Sequence, residues 1–169
     1  MSKKHDLLGQ VAALVVLLVG AGATAALAVG LARPARAAEA PLVVIAGASS
    51  PLNDISRASL RRAFLAEPTV IAGLKLLPLN QNPGTPERAR FDGVILDLAP
   101  EAMSRFWIDQ RIRGQGSPPR AIPSVPLLCK LVAQLPGAIS YVRATDVPAG
   151  VKVLSIDGKK PGTPGYVFP

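Results

Sequence analysis

The sequence predicts an α/β domain, and three observations carry that expectation. Short β-branched apolar runs alternate with segments whose apolar residues recur every three or four positions. Dense Pro, Gly and Asn clusters separate them, as turns and helix boundaries require. The chain of 169 residues is 49% hydrophobic and 18% charged, too apolar for a disordered polymer and of single-domain size.

Leu42 to Ala46 is a β-branched run ended by Gly47-Ala48-Ser49-Ser50-Pro51, a buried strand entering a loop. Ser56 stands as an N-cap before Leu60, Ala63 and Phe64, which share one helical face, and that helix stops before Pro68. Leu74 to Asn80 reads as a strand in which Pro78 marks an edge or a bulge. The turn from Asn80 follows, with Thr85 placed to cap a helix and Pro86 suited to its first position. Phe91, Val94, Ile95 and Leu98 then form an inward stripe. Glu101 to Ile112 is a further helix with Met103, Phe106 and Trp107 as its apolar side. After the Gly114–Pro119 loop, Ser124 to Leu135 is helical and Pro136-Gly137 ends it. Ala138 to Val142 and Val151 to Ile156 read as strands.

These elements divide the chain into a leader at residues 1–37, an α/β domain at 38–158 and a Pro- and Gly-rich, basic tail at 159–169, expected to be poorly ordered. Lys3 and Lys4 precede an uncharged run from Leu7 to Ala32, and Ala35-Arg36-Ala37 follows. This is the layout of a secretory signal, while the length of the run also suits an uncleaved N-terminal membrane anchor. Both place the domain outside the cytoplasm, periplasmic or secreted, free or tethered.

The composition excludes much chemistry. His5, the sole histidine, belongs to the leader, which leaves the domain without an imidazole for a catalytic triad or a histidine-ligated metal. Cys129 is the only cysteine, so no intrachain disulfide exists, and its apolar helical setting reads as a buried small hydrophobe. Asp92 and Asp97 are five apart, point in different directions and read as solvated acids. No Walker-type phosphate loop occurs, and no cofactor is expected. The net charge of +8 raises nucleic acid as a partner, but few aromatics accompany the basic residues, and Arg57, Arg61, Arg62 and Arg105 read as a solvated face. The expectation is a protein that is not an enzyme and binds no nucleic acid.

One junction suggests a ligand. Between Asn80 and Arg88 the first turn of a helix offers N–H groups and the positive end of its dipole, with Gly84, Thr85 and Arg88 close by in sequence. An Asx turn before an ordinary capped helix has the same letters.

The order of segments then resembles a known family. Leu42-Val43-Val44-Ile45, the run Ile55 to Leu65, Asn82-Pro83-Gly84-Thr85-Pro86-Glu87-Arg88, Phe106-Trp107 and Pro136-Gly137-Ala138-Ile139-Ser140-Tyr141-Val142 are similar to the small substrate-binding-like proteins of phosphate ABC transporters. The resemblance covers about Leu42 to Ile156 and implies a periplasmic-binding-protein type II-like lobe, a mixed sheet flanked by helices. It implies an exported binder of phosphate or a similar oxyanion, partnered by a membrane permease or an envelope protein. Carried over by residue, it implies ligand contacts at Ser49 and Ser50 in the first loop and at Gly84, Thr85 and Arg88 in the second. Leu65-Ala66-Glu67-Pro68 lacks the Gly and Trp common after the family's first helix, and the loop before Gly84 lacks a serine. At half the length of a two-lobed binding protein, a single lobe leaves its anion half solvated. The alternative is an envelope structural or interaction protein that uses the same fold without a ligand.

Overall fold

The structure, a computed structural model, describes residues 40–168, so the leader expected at residues 1–37 lies outside the described residues. Four strands form the central sheet: β1 (Leu42–Gly47), β5 (Leu77–Pro78), β8 (Ala138–Arg143) and β9 (Val151–Val153), in the order β5-β8-β1-β9. β1 runs antiparallel to β8 with Val44 opposite Tyr141 and antiparallel to β9, whereas β5 is parallel to β8. The sheet is therefore mixed, as the family resemblance implied.

Every residue of β1 is buried, and the reason is that helices cover both faces of the sheet. On one face Val43, Ile45 and Val142 pack against Leu128, Cys129 and Val132 of a helix from Val125 to Gln134. On the other, Leu42, Val44 and Tyr141 meet α1 (Arg57–Phe64), α2 (Pro86–Phe91) and α3 (Pro100–Ile112) through Leu60, Phe64, Phe91 and Met103. The Val125–Gln134 helix is α4. Ser56, Thr85 and Ser124 cap α1, α2 and α4, each accepting a backbone N–H three residues on.

Several elements are shorter than their sequence pattern. The Leu74–Asn80 strand is broken into β4 (Leu74–Lys75), β5 and β6 (Asn80–Gln81), with β5 at the sheet edge, where the missing N–H of Pro78 costs nothing. β4 forms a small hairpin with β3 (Val70–Ile71), and β6 pairs in parallel with β7 (Ala121–Ile122). The Val151–Ile156 strand divides at buried Leu154: β9 joins β1, while β10 (Ser155–Ile156) pairs with β2 (Asp54–Ile55). α2 passes into a π-helical turn over Asp92–Leu96, which stops at Asp97 in the left-handed region at φ 54°. Among the described residues no helix is long and apolar enough to cross a membrane.

The chain end corrects the expectation of a loose tail. Tyr166 and Phe168 are buried in the core, Phe168 with no exposed surface and in ring contact with Phe91 at 6.2 Å. The Pro and Gly residues that suggested disorder instead form turns that return these two rings to the domain. Burying an aromatic side chain releases enough free energy to offset the ordering of a short turn-rich segment. Phe168→Ala is expected to destabilise the domain by about 3 kcal/mol in chemical denaturation, the usual cost of truncating a buried Phe, whereas a disordered tail would show no change.

Candidate functional site

Tyr141 fixes the approach to the predicted anion loop. Its hydroxyl donates to Asn80 Oδ1 at 2.5 Å, and its carbonyl accepts from Gln81 Nε2 at 3.0 Å, so both residues of β6 are held to β8 by side-chain bonds. Burial raises the Tyr141 hydroxyl far above its ordinary pKa and keeps it a donor. Asn82, Pro83 and Gly84 then emerge at the surface. Gly84 has φ 88°, and a Cβ there would meet nothing within 4 Å; the glycine serves the turn's backbone rather than a close approach. The Thr85 hydroxyl donates to the Asn82 carbonyl at 3.1 Å and accepts from Arg88 N–H at 3.3 Å.

A cavity of about 250 Å³ lies beside this turn, and Gln81, Asn82, Thr85, Ser124, Arg143 and Asp146 are among its walls. Its defining feature is the meeting of two helix starts, α2 behind Thr85 and α4 behind Ser124. Both present the positive end of a helix dipole. Arg143 pairs with Glu87 at the rim, so the cavity holds basic and acidic side chains together. Ser124, Arg143 and Asp146 were not singled out from sequence as site residues. The available signal was the likeness of Ser124-Val125-Pro126 to Thr85-Pro86, two capped helix starts with proline in the first turn.

Arg88, expected as an anion contact, is turned inward and does not line the Thr85 cavity. Its Nε donates to Asp92 Oδ2 at 2.7 Å and its Nη1 to the Gln81 carbonyl at 3.0 Å, and the residue is 9% exposed. The charge is thus compensated inside the protein. Asp92 is accordingly a buried partner one helical turn away and not a solvated acid. Burial pushes its carboxyl above the ordinary carboxylate range, and the hydrogen bond and charge of Arg88 only partly oppose this.

Ser49 and Ser50 are separated from Gly84 and Thr85. The register places Arg143, a wall of the Thr85 cavity, opposite Leu42 at the start of β1, whereas Ser49 and Ser50 follow Gly47 at its end. A six-residue strand spans about 20 Å. The two serines line a different hollow, with Val132 and Pro136, where the Ser50 carbonyl accepts from Lys152 Nζ at 2.5 Å. The five predicted residues therefore do not share one hollow: Thr85 lines the cavity with Ser124, Gly84 and Arg88 border another, and Ser49 and Ser50 lie at the far end of the sheet, because β1 runs antiparallel to β8 and β5 parallel to it, so the chain leaves β1 and β5 in opposite directions.

Comparison by sequence finds no matching family model and no matching curated protein. Solved structures do match in fold. An ABC-type phosphate transport receptor from Vibrio cholerae superposes with a TM-score of 0.57 at 13% identity, over 72% of this chain and 48% of the receptor. PstS from Borrelia burgdorferi gives 0.53 at 14% identity, over 72% of this chain and 49% of its own. The fold is that of the periplasmic-binding-protein-like α/β class, and the chain resembles the substrate-binding proteins of phosphate ABC transporters. It spans about half the length of each of these matches.

The Arg88–Asp92 pair yields a test of this electrostatic arrangement. A raised carboxyl favours folding while protonated, a contribution present at low pH and lost as pH rises through the folded-state value. Asp92→Ala strands a buried guanidinium and is expected to cost about 3 kcal/mol in denaturation, whereas the double variant Arg88→Met, Asp92→Leu stays within about 1 kcal/mol of the native chain. The balance between native chain and double variant should move toward the variant as pH rises from the ordinary carboxylate range through the raised folded-state value of Asp92.

Proposed function

We propose that this protein is an exported, non-enzymatic binding lobe for phosphate or a closely similar oxyanion, serving a membrane permease. The single observation that carries the reading is the convergence of the α2 and α4 N-termini on one cavity beside Gln81 and Asn82. Two dipole ends attract an anion without a net cationic pocket, and Arg143 adds a guanidinium at the rim. The resemblance to phosphate receptors supports the same ligand class. Glu87 and Asp146 refine the choice, since an ionised carboxylate only accepts hydrogen bonds. Phosphate keeps a proton to donate at neutral pH and sulfate does not, so phosphate is favoured.

A second reading rests on specific geometry. The Thr85 hydroxyl is engaged at both its donor and acceptor sides, and Arg88 is bound to Asp92 and Gln81. A lobe so occupied with its own groups suits an envelope interaction protein that has kept the fold without the ligand.

Calorimetric titration of the full chain separates the two. The carrier reading expects weak, salt-sensitive phosphate binding, since one lobe leaves the anion open to water, and weaker sulfate binding. Arg143→Ala is expected to weaken it about tenfold or more, because Glu87 is then left uncompensated beside the anion. Ser49→Ala with Ser50→Ala, at the other end of β1, should leave the affinity unchanged. Absence of heat and of any thermal shift at millimolar phosphate leaves the interaction reading in place.

A further inference from the structure

α3 borders a cleft of about 610 Å³ whose mainly apolar lining includes Ala89 of α2, Met103 and Trp107 of α3, and Pro118 and Pro119 before β7. Ile108 also belongs to this wall, yet it is 60% exposed, and Ile112 one turn on is 80% exposed, the most of any large hydrophobic among the described residues. Both sit on one i,i+4 row with Ser104, and the neighbouring row reads Glu101, Arg105, Asp109, Arg113. All four charged residues are exposed, and Arg113, the C-cap, keeps helical backbone. Asp109 accepts from Arg113 Nε at 3.1 Å in an exposed pair, while Glu101 and Arg105 have no partner among the described residues.

The order of charge along that row is negative, positive, negative, positive. Reversed, it is its own complement. A second copy of the helix, laid antiparallel across a two-fold axis at the level of Trp107, sets Glu101 against Arg113 of the other chain and Arg105 against its Asp109, and the symmetry repeats both pairs. Ile108, one residue from that level, then meets Ile108 of the second copy across the axis, so apolar side chains now in water are covered at the centre with charges on the flank. We propose that this protein pairs with a second copy of itself through the outer face of α3. The mixed signs choose that occupant: a membrane or partner of uniform charge meets half of the row with like charge, whereas a second copy meets each of the four with its opposite. No residue of α3 lines the Thr85–Ser124 cavity, so this interface does not rest on the oxyanion reading.

One helix face is small for an interface, so the pairing is expected to be weak and is sought in the full chain by sedimentation velocity up to about 1 mM. The expected result is a monomer–dimer equilibrium that salt weakens. Arg105→Glu and Asp109→Lys, each alone, create two like-charge contacts by symmetry and should weaken pairing about tenfold or more; Ile108→Asp should do the same at the axis. An equimolar mixture of the Arg105→Glu and Asp109→Lys chains, in which every charge in the row again meets its opposite, should recover a dimer of about native strength. Circular dichroism checks that each variant, changed at an exposed position, keeps its fold. A native chain that stays monomeric throughout overturns the proposal. So does undiminished pairing in either single charge reversal, which places the contact elsewhere, and so does a mixture that fails to associate.

Discussion

Tyr141 is the joint on which the domain turns. Its ring lies 3.9 Å from that of Phe91, nearly parallel at 7°, while its hydroxyl and carbonyl hold Asn80 and Gln81. One residue of β8 thus fastens the strand that leads into the Asn82–Thr85 turn and the helix that leaves it. The stack is extended by Phe64, 4.6 Å from Phe91, and by Phe168 from the chain end, so four distant segments meet on one ring system. Aromatic contacts of this kind add to area burial. Because the polar contacts of Tyr141 are buried, they resist exchange with water and set the direction of the turn.

From that joint α2 borders two different environments. Its start, at Thr85, joins the start of α4 around a small cavity walled by polar and charged residues. Farther along, Arg88, Ala89 and Asp92 border the apolar cleft with α3. The Arg88–Asp92 pair separates these chemistries. By turning the guanidinium inward, onto Asp92 and the Gln81 carbonyl, it keeps that charge out of the Thr85 cavity and leaves a compensated pair beside the apolar cleft. The price is a carboxylate with one satisfied oxygen and one that has no partner among the described residues.

The phosphate receptors that share the fold are about twice as long as the part of them that this chain covers. Closure of two lobes around a ligand excludes water and strengthens every electrostatic contact. Under the oxyanion proposal, how strongly an anion is held depends on what covers the Thr85–Ser124 cavity, because salt screens helix dipoles that act across a solvated opening.

Local features were legible in the letters. Ser56, Thr85 and Ser124 cap their helices because a cap depends only on a short side chain and the three residues after it. The buried run of β1 and the apolar stripes of α1 and α4 follow from periodicity, and with them the α/β class. Strand direction was not legible, because nothing within Leu42–Gly47 states which neighbour it pairs with or which way that neighbour runs. Only the antiparallel register of β1 with β8 carries Ser49 and Ser50 away from Thr85 and brings Ser124, Arg143 and Asp146 toward it. The same holds for Arg88, Asp92 and Phe168. Their sequence context is polar, charged or rich in turns, yet packing against β8 and α2 buries them, since burial is a property of the assembled surfaces and not of any one segment.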